Sequence, residues 1–424
     1  MKKIGNLTKQ KQKSRWMILS AIMIGALLVV MIAPYGMRYF LTQKEDTRDY
    51  AYKESFLSEY EEVRENLQVQ ISKLRSAGYQ VEYSEYAIDE ADGLYIDSTY
   101  IAPEKESDNL IIITTGVHGI EGYIGAAMLD VFFGEIFTDI NHENTGVLII
   151  SNVNPYGMKY KRRYNENNVD LNRNFIFNWD EFDLDINKDY PEVEDLLEAK
   201  GEIGNAFLHE IGFWGSIAKQ AVVNGTDAIA NALLSGQYRS EKGVYYGGNE
   251  DQKSTTYLKE VFTDSLHSDF KNIVHIDVHS GYGPKNTMTI FNSVFDTMTE
   301  EETKKAFAYE DIIAFDSEEF YVTSGDTTEY FYRLAEKENP EIELFSTCFE
   351  FGTLGSEFMD TVRSLKYTID ENRNHWYPSS NPVTEDIIKE RYLEMFYPTD
   401  ASWREDAIQD FIKATKGVLS SKLQ

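Results

Sequence analysis

The chain has 424 residues, 42% of them apolar and 26% charged, the balance of a folded globular protein rather than a disordered one. The formal net charge is −30, and because residues 1–37 carry six Lys or Arg and no acid, the remainder stands at −36. A body that acidic argues against a nucleic-acid partner, and a single cysteine, Cys348, excludes an intramolecular disulfide.

Lys2, Lys3, Lys9, Lys11, Lys13 and Arg15 form a basic flank, and residues 16–37 then run without a charge. As a helix these 22 residues would span about 33 Å, enough for a bilayer core. No A-x-A cleavage signal follows, so one transmembrane signal anchor is expected over 16–37. By the positive-inside rule residues 1–15 are expected to stay cytoplasmic, so that a single-pass protein of the cell membrane presents everything after the anchor outside. From Lys44 to about Ala77, apolar residues at helical spacing (Phe56, Tyr60, Val63, Leu67, Ile71, Leu74) predict an amphipathic helix that closes at Gly78.

Short β-like runs follow at 81–87 and 93–101, then four stronger strands at 110–115, 147–153, 273–278 and 343–349. Helical segments fall between them, for example at 123–133 and 191–198. This alternation predicts an α/β fold, a central sheet flanked by helices. No Pro- or Ser-rich linker divides residues 45–424, which read as one domain with peripheral helices in the last fifty residues.

The most informative run is Gly116-Val117-His118-Gly119-Ile120-Glu121-Gly122, directly after Leu110-Ile111-Ile112-Ile113. It places an imidazole and a carboxylate at the carboxyl end of a buried strand, where open α/β sheets build their sites. Alone, H-x-x-E is a weak signal, so its partners decide. Beyond Val153, Asn154-Pro155-Tyr156-Gly157, Arg162-Arg163-Tyr164-Asn165 and Val169-Asp170-Leu171-Asn172-Arg173-Asn174-Phe175 gather Arg, Asp and Asn just past a strand end. A planar guanidinium can hold a carboxylate bidentately. In His275-Ile276-Asp277-Val278-His279-Ser280-Gly281, period two puts His275, Asp277 and His279 on one face. His279, nearest the strand end, is placed to leave the sheet for a ligand, and His275 reads as a core residue. Glu350, in the apolar run Thr347-Cys348-Phe349-Glu350-Phe351, is costly unless paired or working; Cys348 reads as core.

Two imidazoles and one carboxylate leave a fourth position open, as catalytic zinc requires. Neither H-E-x-x-H nor G-x-S-x-G occurs, so a helix-borne zincin site and an α/β-hydrolase serine have no support.

The order H-x-x-E, N-P-x-G, R-R-x-N, V-D-L-N-R-N-F, D-x-H-S and F-E-x-G-T resembles the M14 zinc carboxypeptidases. Gly236-Gln237-Tyr238, Tyr246-Gly247-Gly248 and Gly119-Ile120-Glu121-Gly122 resemble its bacterial DUF2817 branch more specifically, from about residue 45 to the carboxyl end. The resemblance implies a mixed central sheet of the zinc-carboxypeptidase kind and a Zn2+ held by His118, Glu121 and His279. It implies Asp170 behind the first histidine and Arg163 at the scissile carbonyl, with Arg162 the neighbour that could take its register. Asn172 and Arg173 would grip a terminal carboxylate, and Glu350 would be the general base. Tyr321, before Ser324-Gly325, would be the mobile tyrosine over the substrate, with Thr328 seven residues on at the position tied to side-chain preference.

The 158 positions between Glu121 and His279 are more than this pattern needs, so residues 180–254 are expected to be an insertion near the cleft, its Gly-Gln-Tyr and Tyr-Gly-Gly pieces either turns or site wall. The implied activity is zinc-dependent hydrolysis of an amide bond next to a free carboxylate, in peptides or cell-wall stem peptides. Two other readings stay open: hydrolysis of a small N-acyl amino acid, as in the aspartoacylase-like branch, and a non-catalytic membrane-anchored binding module.

Overall fold

The structure, a computed structural model, describes residues 22–41, 48–198, 200–223, 236–314, 317 and 324–423. Eight strands form one mixed sheet in the order β1-β2-β4-β3-β5-β8-β6-β7. They are β1 (Val81–Asp89), β2 (Leu94–Ile101), β3 (Asn109–Thr115), β4 (Thr145–Ser151), β5 (Asn272–Ser280), β6 (Met288–Asn292), β7 (Ile312–Ile313) and β8 (Glu343–Phe351). The centre, β4-β3-β5-β8, is parallel throughout. β1 and β2 add an antiparallel edge on one side, and β6, antiparallel to β8, adds the other. All seven residues of β3 are buried, as the unbroken Leu110-Ile-Ile-Ile run requires of a strand covered on both faces.

Helix α1 (Tyr60–Ser76) turns Tyr60, Val63, Leu67, Ile71 and Leu74 inward, the stripe read from sequence. It is shorter than expected: residues 53–55 form a separate 3-10 turn, and residues 42–47 lie outside the described residues. Gly78 (φ +100°) ends α1 in a Schellman turn, with its N–H bonded to Arg75 O and the Tyr79 N–H to Leu74 O. Next come α2 (Gly122–Glu135), α3 (Pro155–Lys159), α4 (Tyr190–Leu197), α5 (Ala206–Val223), α6 (Lys253–Leu266), α7 (Glu300–Phe307) and α8 (Thr327–Glu338). The chain ends in α9 (Phe358–Trp376), α10 (Pro382–Phe396) and α11 (Ala401–Lys422).

One sheet face is covered by α2 and α11, the other by α6 and α8. On the second face Phe262 of α6 stacks on Phe331 of α8 at 4.0 Å, and both meet the His275 ring edge-on. The expectation of peripheral helices at the carboxyl end is corrected here. Trp403, Ala407, Phe411, Ala414 and Val418 of α11 are buried in the main core, because their spacing makes an apolar stripe. β6 and β7 were also not foreseen; at five and two residues, with Thr289 and Asn292 in the run, they give no periodic signal.

The turn after β3 leaves no room for a side chain at Gly119. A Cβ on Gly119 would sit 2.1 Å from the Gly157 carbonyl carbon and 2.2 Å from Met158 N, both backbone atoms at the start of α3. Gly119→Ala should therefore lower unfolding free energy by on the order of 3 kcal/mol, at the upper end of overpacking costs. Gly204→Ala, where a Cβ would meet nothing within 4 Å, should change it little. Denaturant titration of both variants compares the two, and equal midpoints would contradict the close approach.

Candidate metal centre

β3 delivers its last residues into a tight turn at Gly116 (φ +73°), where a Cβ would meet the Gly122 and Asn152 backbones. His118 caps a 3-10 turn, Gly119–Glu121, and in that geometry residues three apart lie on one side. His118 Nδ1 and Glu121 Oε1 are accordingly 3.0 Å apart. From the end of β5, His279 Nδ1 lies 2.9 Å from Glu121 Oε2 and 3.2 Å from His118 Nδ1. All three residues are buried, and their ligand atoms lie within 4.8 Å of one another.

Each imidazole is pinned from behind by a carboxylate. His118 Nε2 lies 3.0 Å from Asp170 Oδ1, and His279 Nε2 lies 2.8 Å from Asp277 Oδ2. Burial would raise the Asp170 carboxyl, but Arg163 and His118 hold it well below the usual range. Asp277 is likewise lowered against its burial, chiefly by His279. Ionised carboxylates only accept, so both Nε2 atoms donate and both Nδ1 lone pairs point at Glu121 and at each other. Such a cluster demands a positive charge at its centre. Burial lowers the His279 pKa, yet Asp277 and Glu121 raise it well above the ordinary value, which is that same demand met by a proton. Two imidazole nitrogens and one carboxylate oxygen are a donor set suited to zinc, and outer carboxylates of this kind fix the tautomer of ligating histidines. The residues present fit the ion.

Asp170 does a second job: Arg163 Nε donates to its Oδ2 at 2.8 Å. Arg163 Nη1 stands 3.6 Å from Glu121 Oε1, and its guanidinium lies over the Tyr245 ring. Burial disfavours the Arg163 charge, but Asp170 and Glu121 secure it. Arg162 points elsewhere, into a buried set with Glu371, Asn168 and Asn372. Glu350 faces His279 across the β5–β8 register and accepts from Tyr282 N at 2.9 Å. Burial, and then the Glu121 charge, push its carboxyl up to about 8.

These side chains share one cavity of about 220 Å³, lined among others by His118, Arg163, Asn172, Arg173, His279 and Glu350. Asn172 Oδ1 accepts from Thr327 N and Oγ1, so its amide NH2 is the end left to the cavity. Arg173 is buried, and its Nε has no hydrogen-bond partner among the described residues. Gly236 lies against the Arg173 stem, Tyr238 OH donates to Arg173 O at 2.7 Å, and Tyr245 lines the cavity. The Gly-Gln-Tyr piece backs Arg173, and the residue on the cavity wall is Tyr245, immediately before the Tyr-Gly-Gly piece. Thr328 lines the cavity too, whereas Tyr321 lies outside the described residues.

Two readings change. Cys348, expected in the core, is half-buried on the cavity wall, its thiol pushed well up by burial and by Glu350. Asp277, placed from sequence only on the face of His279, is that ligand's outer partner. Behind it runs a relay: Ser346 Oγ lies 2.8 Å from His275 Nδ1, His275 Nε2 lies 2.9 Å from Thr114 Oγ1, and Thr114 donates to Asp277 Oδ1 at 2.5 Å. His275 is the expected core residue, held neutral by burial at a pKa of about 4. The D-x-H spacing was the signal that could have assigned Asp277.

Comparison with known proteins adds relatives at a distance. Carboxypeptidase SOL1 of Arabidopsis thaliana is 29% identical over 123 residues, 29% of this chain and 22% of the plant protein, so the match spans about a fifth of that relative. Among solved structures, bovine thrombin-activatable fibrinolysis inhibitor in complex with tick carboxypeptidase inhibitor matches at 16% identity and TM-score 0.42, covering 85% of this chain and 97% of that one. Carboxypeptidase A of Helicoverpa armigera matches at 14% and 0.43, covering 91% and 82%. Succinylglutamate desuccinylase of Chromobacterium violaceum matches at 12% and 0.32, covering 74% of each. The family model described as "Protein of unknown function (DUF2817)" matches residues 56–410, and the chain belongs to that family.

Proposed function

We propose that this protein is a zinc-dependent metallocarboxypeptidase of the M14 kind, cleaving an amide bond next to a free carboxylate in a peptide substrate. The observation that carries the reading is the buried all-acceptor cluster of His118, Glu121 and His279, opening into the same cavity as Glu350 and Arg163. Zinc bound there supplies Lewis-acid polarisation and makes hydroxide available near neutral pH.

The chain's own groups do the rest. Asn172 and Arg173 hold the substrate carboxylate, using the amide NH2 and a guanidinium that the cavity wall keeps in place. Arg163, fixed through Asp170, stands where negative charge develops on the carbonyl oxygen, and a preorganised donor there needs no rearrangement at the moment of reaction. Glu350 accepts the proton of the attacking water and returns it to the departing amine; an elevated pKa suits a group that must do both. The apolar N-terminal helix, Ile22–Leu41, is read as an uncleaved anchor that puts residues 45–424 on the extracellular side.

Glu350→Gln should keep zinc and lower kcat by at least about 10²-fold, the range of a general acid–base group. Metal content and hydrolysis of a carboxyl-terminal peptide ladder, measured on the same sample, decide it; an undiminished rate would remove Glu350 from the mechanism. N-acyl amino acids run beside the ladder separate peptide cleavage from small-amide hydrolysis.

Asp277→Asn should weaken zinc binding about 10- to 100-fold, as loss of an outer hydrogen-bond partner does. Competition against a chromophoric chelator gives the affinity. A Kd equal to that of the unaltered protein would show that the tautomer of His279 is held by something else.

A further inference from the structure

Helix α5 ties two of its polar side chains inward and leaves two large apolar ones outside. His209 Nε2 lies 2.5 Å from Asp370 Oδ1, and Glu210 accepts from Arg391 at 2.8 Å and stands 3.4 Å from the buried Lys366. Lys366 in turn holds Asp370. Phe213 and Ile217 fill the rest of the inner face against Val362, Leu365 and Ile369 of α9. Outward stand Leu208 and Ile211, 51% and 59% exposed, with Gly212, Gly215, Ala218 and the exposed Lys219 beside them. A surface helix in water buries its large apolar side chains. This one leaves Leu208 and Ile211 in the open, with a lysine as the charge on that face.

The neighbouring element indicates what covers that face. Pro34 sits within the N-terminal helix and has no N–H, so the Val30 carbonyl, four residues back, loses its helical donor. Asn205, at the entrance to α5, donates its Nδ2 to that carbonyl at 3.0 Å. Arg38 pairs with Asp386 of α10 at 2.9 Å, so the last turns of the apolar helix rest on α5 and α10. Val30 lies seven residues before Met37, where the uncharged run ends. At 1.5 Å per residue the start of α5 therefore stands about 10 Å inside the outer end of that run. In-plane helices bury an apolar face by about 5–10 Å at that depth.

The geometry points to α5 as a membrane-contact surface, lying against the outer leaflet with Leu208 and Ile211 in the lipid interface. This rests on reading the N-terminal helix as an uncleaved anchor. The bilayer that receives Ile22–Leu41 covers the outward face of α5, and the Asn205–Val30 bond sets the depth at which it does so.

The test uses the full chain carrying Cys348→Ser, with one environment-sensitive fluorophore at a time through Leu27→Cys, Leu208→Cys, Ile211→Cys or Glu301→Cys. The protein is reconstituted in phosphatidylcholine–phosphatidylglycerol vesicles with or without bromine-labelled acyl chains. Brominated lipid should quench positions 208 and 211 as it quenches 27, and leave 301, on the exposed face of α7, unchanged. Quenching of 208 and 211 by aqueous iodide alone, while 27 still responds to lipid, would overturn the surface and leave the anchor standing. Shielding of 208 and 211 from both quenchers would replace lipid by protein, such as a second copy of the chain. Loss of the lipid response at 27 would take away the anchor and the surface together.

Discussion

Everything at the site depends on two imidazoles pinned from behind. An imidazole has one N–H to place, and whichever group claims it decides which nitrogen keeps a lone pair. Asp170 and Asp277 each claim an Nε2–H, and the price is two carboxylates in the protein interior. Buried carboxylates are tolerated only when paired and hydrogen-bonded. Asp170 is held by Arg163 and His118, and Asp277 by His279 and Thr114. What remains is a pair of Nδ1 lone pairs 3.2 Å apart beside a buried Glu121, an arrangement that repels itself until a cation enters.

The sheet makes this convergence possible. β4, β3, β5 and β8 are adjacent and parallel, so their carboxyl ends open on one edge. His118 follows β3, the loop carrying Arg163, Asp170, Asn172 and Arg173 follows β4, and His279 and Glu350 close β5 and β8. More than two hundred residues separate His118 from Glu350 in sequence, yet two strand spacings of about 5 Å link their strands in the sheet.

Strands with a strong local signal were legible: Leu110-Ile-Ile-Ile stands out as an unbroken apolar run, and the last strand by its alternating Phe345 and Phe349. The runs carrying His118, Glu121, His279 and Glu350 stood out because each closes a strand, whereas Arg163, Asn172 and Arg173, in the long loop after β4, formed an Arg- and Asn-rich cluster whose individual places came only from the family resemblance. What escaped was decided by tertiary packing. Asp277 carried a signal in its D-x-H spacing, but its contact with His279 Nε2 is set by how that ring turns back along its own strand. Cys348 was read as core from its apolar neighbours, but strand alternation puts it on the same face of β8 as Glu350, and both line the cavity. The backing of Arg173 by Gly236 and the wall residue Tyr245 depend on a loop returning to the site, a contact no periodicity encodes. The carboxyl-terminal helix was misplaced outward because an apolar stripe in a helix of mixed charge resembles any surface helix until the sheet beneath it is known.

Residues 180–254 connect the two faces that matter. Their far end supplies Tyr245 to the cavity, and α5 supplies the outward apolar face. Between them lies one packed unit in which Val244, Phe213 and Ile217 meet Leu365 of α9. Leu365 also lines the cavity, as do Thr361, Ser364 and Thr368 one or two turns along the same helix. Close-packed interiors transmit displacement rather than absorb it. The buried ion set of His209, Glu210, Lys366, Asp370 and Arg391 ties α5 to α9 and α10, and these directional contacts resist sliding. The outward face of α5 and the cavity wall therefore stand on one packed unit, and a displacement of either is carried to the other through Leu365 and its neighbours on α9.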